Sequence, residues 1–94
     1  MLKSELEHDI FGAGWKIKDG YIQKEYLFHA FVEVIDFLNI LWSFFEEIHH
    51  HPDFTVRFNK ISFFLRTHEK NKITKKDYIL AEVIENVYFC LTER

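Results

Sequence analysis

The sequence is poor in cysteine, proline and glycine, and each shortage excludes a class of protein. A single cysteine, Cys90, excludes an intrachain disulfide framework and a zinc site built from cysteine thiolates. One proline and three glycines in 94 residues leave no room for a linker or a low-complexity segment. Because so little cysteine is typical of proteins in reducing compartments, we expect a cytoplasmic protein.

Long apolar runs and clusters of basic residues are also missing. The chain opens on charged residues, MLKSELEHD, without the apolar core of a signal peptide, and its longest apolar run is far shorter than a membrane span. The formal net charge is −3, and no stretch gathers the lysines and arginines that a phosphate backbone would attract. We therefore expect a soluble protein that binds neither a membrane nor nucleic acid directly.

Apolar residues, in contrast, are plentiful, and their alternation predicts two β-hairpins. Residues 15–28 alternate apolar and polar positions on both sides of Asp19-Gly20, a dipeptide that favours tight turns. Residues 54–58 and 61–67 alternate again on either side of a predicted turn at Asn59-Lys60.

Helical spacing of apolar residues predicts three helices around these hairpins. They cover residues 2–11, 29–48 and 79–91, the last preceded by a capping box of Thr74 and Asp77. The apolar share of 48% suffices for the core of one small domain, 1–94. The order of elements predicts an α+β domain in which helices pack on one face of a four-stranded antiparallel sheet.

The central helix has more apolar surface than one sheet can cover. A helix that lies on a sheet buries an arc of roughly 100°, whereas the polar residues of this helix occupy only a single stripe. The apolar residues in excess belong to the following set: Phe37, Leu38, Trp42, Phe44 and Phe45. Because so short a chain has no second domain to cover them, we expect a homodimer or homotetramer.

Four of the six histidines lie in the second half of the chain, near the predicted element ends. His49, His50 and His51 precede Pro52, which fixes its own φ and favours an extended conformation in the residue before it. His68 follows the second hairpin. Imidazoles placed at the ends of helices and strands are typical of proton transfer or of metal binding.

The residues alone leave alternatives open. The three adjacent histidines could be a surface feature without a role. A metal site is disfavoured, because neighbouring side chains in an extended segment point in opposite directions and no HExxH-like spacing is present. Cys90, between two apolar residues of the last predicted helix, is interpreted as a packing residue and not as a nucleophile.

The spacing of acidic, aromatic and histidine residues in this region is specific. The region contains, in this order and at fixed gaps, Glu46, His50-His51-Pro52, Phe58, His68 and Asp77. This pattern resembles the signature of the pterin-4a-carbinolamine dehydratases. The resemblance extends over nearly the whole chain from Gly14-Trp15 onward, including the turn at Asn59-Lys60 and the helix that begins DYILAEVIE.

The resemblance implies a reaction and a set of residues that carry it. The implied reaction dehydrates 4a-hydroxytetrahydropterin to the quinonoid dihydropterin, without metal or organic cofactor, and recycles the pterin used in aromatic amino-acid hydroxylation. His50, His51 and His68 are implied to be the catalytic and pterin-binding set. The supporting residues implied with them are Trp15, Glu46, Pro52, Phe54, Thr67 and Asp77.

The resemblance also carries departures and a competing function. His49 stands where many family members have Asp or another polar residue, and Phe54 where many have Trp. Family members assemble through the sheet edge and the long helix, and some bind a homeodomain transcription factor, a role that this sequence does not decide. The competing hypotheses are therefore a non-enzymatic protein-binding module and, third, a metal protein built on the histidines.

Overall fold

Residues 3–92, which the computed structural model describes, form three α-helices and one four-stranded sheet. In chain order the elements are α1 (Lys3–Gly12), β1 (Lys16–Lys18), β2 (Tyr21–Leu27), α2 (Phe31–Ile48), β3 (Asp53–Arg57), β4 (Lys60–Leu65), a 3₁₀ turn (His68–Lys70) and α3 (Lys75–Thr92). Leu2, the predicted start of the first helix, lies outside the described residues. The predicted α+β order of helices and hairpins is confirmed.

The four strands pair antiparallel in the order β1-β2-β4-β3. The turn between β1 and β2 is Asp19-Gly20, whose φ angles of 54° and 81° are both positive. Positive φ at both central positions is the geometry of a two-residue hairpin turn whose twist matches that of its strands. The first hairpin is therefore confirmed together with its turn.

The second hairpin is confirmed, but its turn lies one residue earlier than predicted. Arg57 pairs with Lys60, which leaves Phe58 and Asn59 as the two turn residues. Phe58 takes a positive φ of 56°, and Asn59 ties the turn to the end of β2 by exchanging hydrogen bonds with the backbone of Phe28. The polar Asn59 thus serves the turn through its side chain, whereas the residue with unusual φ is an exposed aromatic.

The helices cover one face of the sheet, as predicted. The buried residues of the strands alternate with polar ones, and those facing the helices are Ile22, Tyr26, Ile61, Phe63 and Leu65. They form one core with buried residues of α2 and α3, namely Val34, Phe37, Leu41, Phe45, Leu80, Ala81 and Ile84. The other face of the sheet carries mostly polar side chains, so it is the helix layer that closes the core.

The outer side of α2 keeps six exposed apolar residues after this packing, among exposed polar ones. Of the five residues predicted to be in excess, Phe37 and Phe45 are buried and Leu38 packs against the core, whereas Trp42 and Phe44 are exposed. The exposed apolar residues of the helix also include Phe31, Val32, Ile35 and Ile40. The excess of apolar surface is therefore present on the chain, on a set of residues that only partly matches the predicted one.

Cys90 is exposed on α3, so the interpretation of it as a packing residue is wrong. The buried residues of α3 recur at helical spacing through Leu80, Ala81 and Ile84. Continued along the helix, this stripe runs past the partly buried Tyr88 and Leu91 and leaves the intervening position 90 facing outward.

Candidate active site

The end of α2 is shaped by His49, which places the next histidine. His49 adopts a left-handed conformation with φ 58° and ψ 39°. Its N–H donates to the carbonyl of Glu46, and the N–H of His50 donates to the carbonyl of Phe45. These two bonds are the Schellman arrangement that ends many helices, usually with Gly or Asn at the left-handed position. The chain therefore leaves the helix sharply at His49, and His50 turns toward the start of α3.

His50 is held by a buried carboxylate. Its Nε2 lies 2.6 Å from Oδ1 of Asp77, and the side chains are only 11% and 0% exposed. The other carboxylate oxygen, Oδ2, accepts hydrogen bonds from the Thr67 hydroxyl at 2.9 Å and from the Thr74 backbone N–H at 2.8 Å. Both carboxylate oxygens of Asp77 therefore have hydrogen-bond partners, as a buried carboxylate requires.

Thr67 leaves the sheet to reach this network. β4 ends at Leu65, two residues earlier than predicted, and Thr67 instead pairs with Lys72 across the 3₁₀ turn. The Thr67 hydroxyl also lies 2.6 Å from that of Thr74. The predicted capping box is therefore present in part: Asp77 accepts from the backbone of Thr74, while the Thr74 hydroxyl contacts Thr67.

His68 is held more loosely, on the outside of the same loop. Its Nε2 lies 3.2 Å from Oδ2 of Asp53, with the two side chains 62% and 57% exposed. The Tyr21 ring approaches the imidazole edge-on, with ring centres 6.3 Å apart. Arg66 lies over the Tyr21 ring, so His68 sits beside a cationic and aromatic surface.

His51 is the third imidazole with a carboxylate neighbour. Its Nε2 is 3.7 Å from Oε2 of Glu46, an ion-pair distance that is longer than a hydrogen bond. Both side chains are about half exposed. The centres of the Trp42 and His51 rings are 6.0 Å apart. The outer side of α2 therefore contacts residues 46–77, which we call the histidine segment.

The remaining predicted site residues lie in different surroundings. Pro52 connects His51 to β3 by a trans peptide, and Phe54, on β3, is partly exposed and packs against Phe63. Trp15 is buried in the core, where its ring contacts Tyr26. The indole N–H of Trp15 is buried and has no hydrogen-bond partner within residues 3–92.

Tyr26, the neighbour of Trp15, belongs to a second polar network. Its hydroxyl and the Lys24 ammonium both donate to Oε1 of Glu85 on α3, at 2.7 and 2.6 Å. Burial, and then the hydrogen bond that the Tyr26 hydroxyl donates to Glu85, raise the pKa of Tyr26 well above its usual range. This group stays neutral at physiological pH and joins β2 to α3 without taking part in proton transfer.

Sequence reasoning overlooked two contributors to the histidine segment. Asp53 was not singled out, and Thr74 was considered only as a helix cap. The pairing of Asp53 with Phe64 places its carboxylate at the end of β4 from which the chain continues to His68, a signal that needs the strand register. The contact of Thr74 needs the 3₁₀ turn, which no sequence pattern had indicated.

Within residues 3–92, no three side chains among His, Cys, Asp and Glu converge closely enough to hold a metal ion. No helix of that part of the chain is long and apolar enough to cross a membrane. What the described residues do bring together is three separate pairs of imidazole and carboxylate.

Comparison with known proteins identifies relatives of this chain. The family model described as pterin 4 alpha carbinolamine dehydratase matches residues 1–87. A protein of Herpetosiphon aurantiacus, provisionally named pterin-4-alpha-carbinolamine dehydratase, is 38% identical over 76 residues, which cover 81% of this chain and 79% of that protein. A protein of Sulfurisphaera tokodaii with the same provisional name is 38% identical over 74 residues, 79% of this chain and 80% of its own.

Solved structures share the fold. The crystal structure of a transcriptional coactivator/pterin dehydratase from Brucella melitensis superposes with a TM-score of 0.79 at 24% identity, over 93% of this chain and 96% of that one. A pterin dehydratase-like protein identified as a RuBisCO assembly factor superposes with a TM-score of 0.63 at 16% identity, over 78% and 84%. The fold, the match over residues 1–87 and the relatives at 38% identity together show that this chain belongs to the pterin-4a-carbinolamine dehydratase family.

Proposed function

We propose that the protein is a hydro-lyase that dehydrates 4a-hydroxytetrahydropterin to the quinonoid dihydropterin, in the recycling of tetrahydrobiopterin. The observation that carries the proposal is that each of the three signature histidines has a carboxylate beside it: Asp77 for His50, Glu46 for His51 and Asp53 for His68. A carboxylate orients an imidazole and selects the ring nitrogen that carries the proton. Three imidazoles, each beside a carboxylate, fit an enzyme that moves protons.

The chemistry needs two proton transfers and no redox partner. The C4a–O bond of the carbinolamine breaks, and the departing hydroxyl takes up a proton from an acid and leaves as water. A ring nitrogen of the pterin loses a proton to a base, and its electron pair forms the new double bond to C4a. One proton is given and one is taken, so the net protonation of the enzyme is unchanged, and the acid and the base return to their starting forms by exchange with water. Imidazoles are suited to both steps near neutral pH.

The surroundings of the histidines suggest different duties. His50 is nearly enclosed and fixed by Asp77, which suits contact with the pterin ring in one orientation. His51 and His68 are exposed and loosely paired, so each can exchange its proton with water between turnovers. We assign His50, His51 and His68 as the catalytic and pterin-binding residues on these grounds, with Glu46 and Asp77 orienting two of them.

The test is a spectroscopic assay that follows the disappearance of freshly generated 4a-hydroxytetrahydropterin with and without the protein. The proposal expects the protein to accelerate the decay, and to do so equally before and after treatment with a chelator. No acceleration at micromolar protein would overturn the proposed activity. Loss of activity on chelation, together with about one zinc per chain in elemental analysis, would favour a metal enzyme built on the histidines.

A second candidate function is a non-enzymatic protein-binding module. Two observations favour it: the exposed apolar residues along α2, and the fact that structural neighbours are described as a transcriptional coactivator and a RuBisCO assembly factor. The signature histidines and their carboxylates argue for the enzyme, because a pure binding module has no need of a proton-transfer set. A folded wild-type protein with no activity in the assay above would place this second candidate first.

Assembly is part of the proposal. We infer that the exposed apolar face of α2 packs against the same face of another copy in a homodimer or homotetramer, because a closed symmetric assembly covers such a face on every subunit. Val32 and Trp42 are 62% and 58% exposed on this helix. A charge at either position would lie unpaired in an apolar interface, which is costly.

Light scattering at micromolar concentration tests the assembly. We expect an oligomer for the wild type, smaller species for Val32→Glu and Trp42→Glu, and no change for Asn86→Glu, whose position is exposed, already polar and on α3 instead of α2. Val32 lies far along α2 from His51, so its variant separates assembly from effects on the histidine segment. A monodisperse wild-type monomer of 11.5 kDa would contradict the proposal.

A cytosolic location belongs to the same proposal. Cys90 is exposed and unpaired in α3, which fits a reducing compartment. Cell fractionation tests this location, and recovery of the protein only from an oxidising compartment would contradict it.

A further inference from the structure

The hydroxyl groups of Thr67 and Thr74 lie one behind the other beneath the Asp77 carboxylate. We propose that these two threonines are positioning residues that hold His50 in one tautomer, with its proton on Nε2 and a bare Nδ1 offered to the pterin. The part of this proposal that concerns the pterin rests on the proposed function. The part that concerns the tautomer is a property of the protein alone.

The direction of the hydrogen bonds can be worked out from the number of protons available. A carboxylate only accepts hydrogen bonds, whereas a hydroxyl has a single proton to donate. Thr67 therefore donates its only hydroxyl proton to Oδ2 of Asp77, at 2.9 Å. The contact of 2.6 Å between the two hydroxyls must then be donated by Thr74. The chain of donors runs in one direction, from Thr74 to Thr67 to Asp77.

The same carboxylate decides where His50 carries its proton. Oδ2 is occupied by the Thr67 hydroxyl and the Thr74 N–H, which leaves Oδ1 to accept from the Nε2–H of His50 at 2.6 Å. In the neutral imidazole, a proton on Nε2 leaves Nδ1 as an acceptor. Nδ1 has no hydrogen-bond partner among residues 3–92, so it is the ring atom available to receive a proton from a substrate.

Rigidity is what the threonines add. Asp77 is 0% exposed and Thr67 is 1% exposed, so no bulk water competes for the carboxylate oxygens. Without the hydroxyl donors, the carboxylate of Asp77 could rotate. The imidazole of His50 could then flip and donate to the carboxylate from Nδ1 instead of Nε2. Mutation of the outer partners of metal-bound histidines changes affinity or activity by about tenfold or more, and we expect an effect of that order here.

Thr74 has two contacts that a substitution can separate. Its backbone N–H caps α3 through Asp77 and stays in place in any variant except proline. Thr74→Val removes only the hydroxyl and keeps the shape of the side chain, so helix capping and packing are preserved. Thr74→Ser restores the hydroxyl. At the other end of α3, Thr92 donates its hydroxyl to the carbonyl of Tyr88, and Thr92→Val provides a matched control.

The experiment is ¹⁵N NMR of histidine-labelled protein without substrate, read at the two ring nitrogens of His50. For the wild type, Thr74→Ser and Thr92→Val, we expect protonated Nε2 and bare Nδ1. For Thr74→Val we expect a mixture of both tautomers, and for Thr67→Val a larger share of the wrong one, because that change takes a donor directly from Asp77. Thermal unfolding checks that each variant is folded.

The kinetic readout distinguishes positioning from simple structural support. In the dehydration assay, Thr74→Val should lower kcat by about tenfold while KM changes by less than about twofold, since a His50 in the other tautomer still contacts the pterin but cannot accept its proton at Nδ1. A wild-type His50 protonated on Nδ1, or a folded Thr74→Val protein with an unchanged tautomer, would overturn the proposal. A wild type without turnover would overturn the proposed function instead, and the NMR result would still decide the role of the threonines.

Discussion

The two ends of the histidine segment differ in how firmly the protein holds an imidazole. We name them after their carboxylates: His50 lies at the Asp77 end and His68 at the Asp53 end. At one end, His50 is bonded at 2.6 Å to a carboxylate that is fully buried and bonded to two further donors. At the other, His68 lies 3.2 Å from Asp53, and both side chains are more than half exposed. A buried, satisfied pair fixes orientation, whereas an exposed pair is screened by water and salt and contributes little to stability.

The difference suggests how one small site can both hold a substrate and recycle protons. A fixed imidazole presents the same nitrogen to every incoming molecule, which lowers the cost of reaching the reactive geometry. An exposed imidazole regains or loses its proton quickly because water reaches it. We therefore expect the loss of Asp77 to affect stability as well as the orientation of His50, on which turnover depends, and changes at the Asp53 end to affect turnover without a loss of stability.

The largest difference between the ends should appear in stability. Asp77→Ala leaves His50, Thr67 and the Thr74 N–H without their acceptor in a buried place, which should destabilise the protein by about 3 kcal/mol. Asp53→Ala breaks an exposed pair and should cost less than about 1 kcal/mol. Urea unfolding of the two variants and the wild type measures both values, and equal losses would show that the two carboxylates are held alike.

Turnover should respond next, at the exposed histidines. His68→Ala and His51→Ala should each lower kcat by roughly 10²-fold, the usual contribution of a positioned acid or base, with the unfolding curve unchanged. His8→Ala and His29→Ala are matched controls, since both are exposed histidines outside the segment. A folded His68→Ala protein with wild-type turnover would remove His68 from the mechanism.

The smallest effect concerns proton exchange with water at neutral pH. The Nε2–H of His50 is enclosed and bonded to Asp77, so it should exchange slowly and give a visible downfield proton resonance. The ring protons of His68 should exchange too fast to be seen. The spectrum of His50→Ala assigns the resonance, and a protected ring proton on His68 instead would reverse the ranking of the two ends.

The fold was predictable because its signals are local. Asp19-Gly20 has the positive φ angles that its hairpin needs, and the apolar spacing of α2 and α3 gives the helices directly. The turn at Phe58 was misplaced by one residue because a bulky aromatic takes a left-handed conformation there, which residue preferences do not favour. Cys90 was misjudged because its neighbours in sequence are not its neighbours around the helix.

The site was predictable as a set of residues but not as an arrangement. The spacing from Glu46 to Asp77 identified the histidines through family resemblance, yet it could not tell which carboxylate lies beside which imidazole. Asp53 meets His68 because of the register between β3 and β4, and Thr74 meets Thr67 because of the 3₁₀ turn. Both contacts depend on pairings between segments distant from one another along the chain, which no local pattern encodes.

The measurement that bears most directly on the proposed site is the decay rate of 4a-hydroxytetrahydropterin with a variant in which His50, His51 and His68 are all replaced by alanine. A double variant, His8→Ala with His29→Ala, serves as the control with its histidine segment intact. We expect the wild type and the control to accelerate the decay by the same factor, of at least about 10²-fold, and the triple variant to fall to the rate without protein. A folded triple variant that still accelerates the decay as the wild type does would contradict the assignment of catalysis to these histidines.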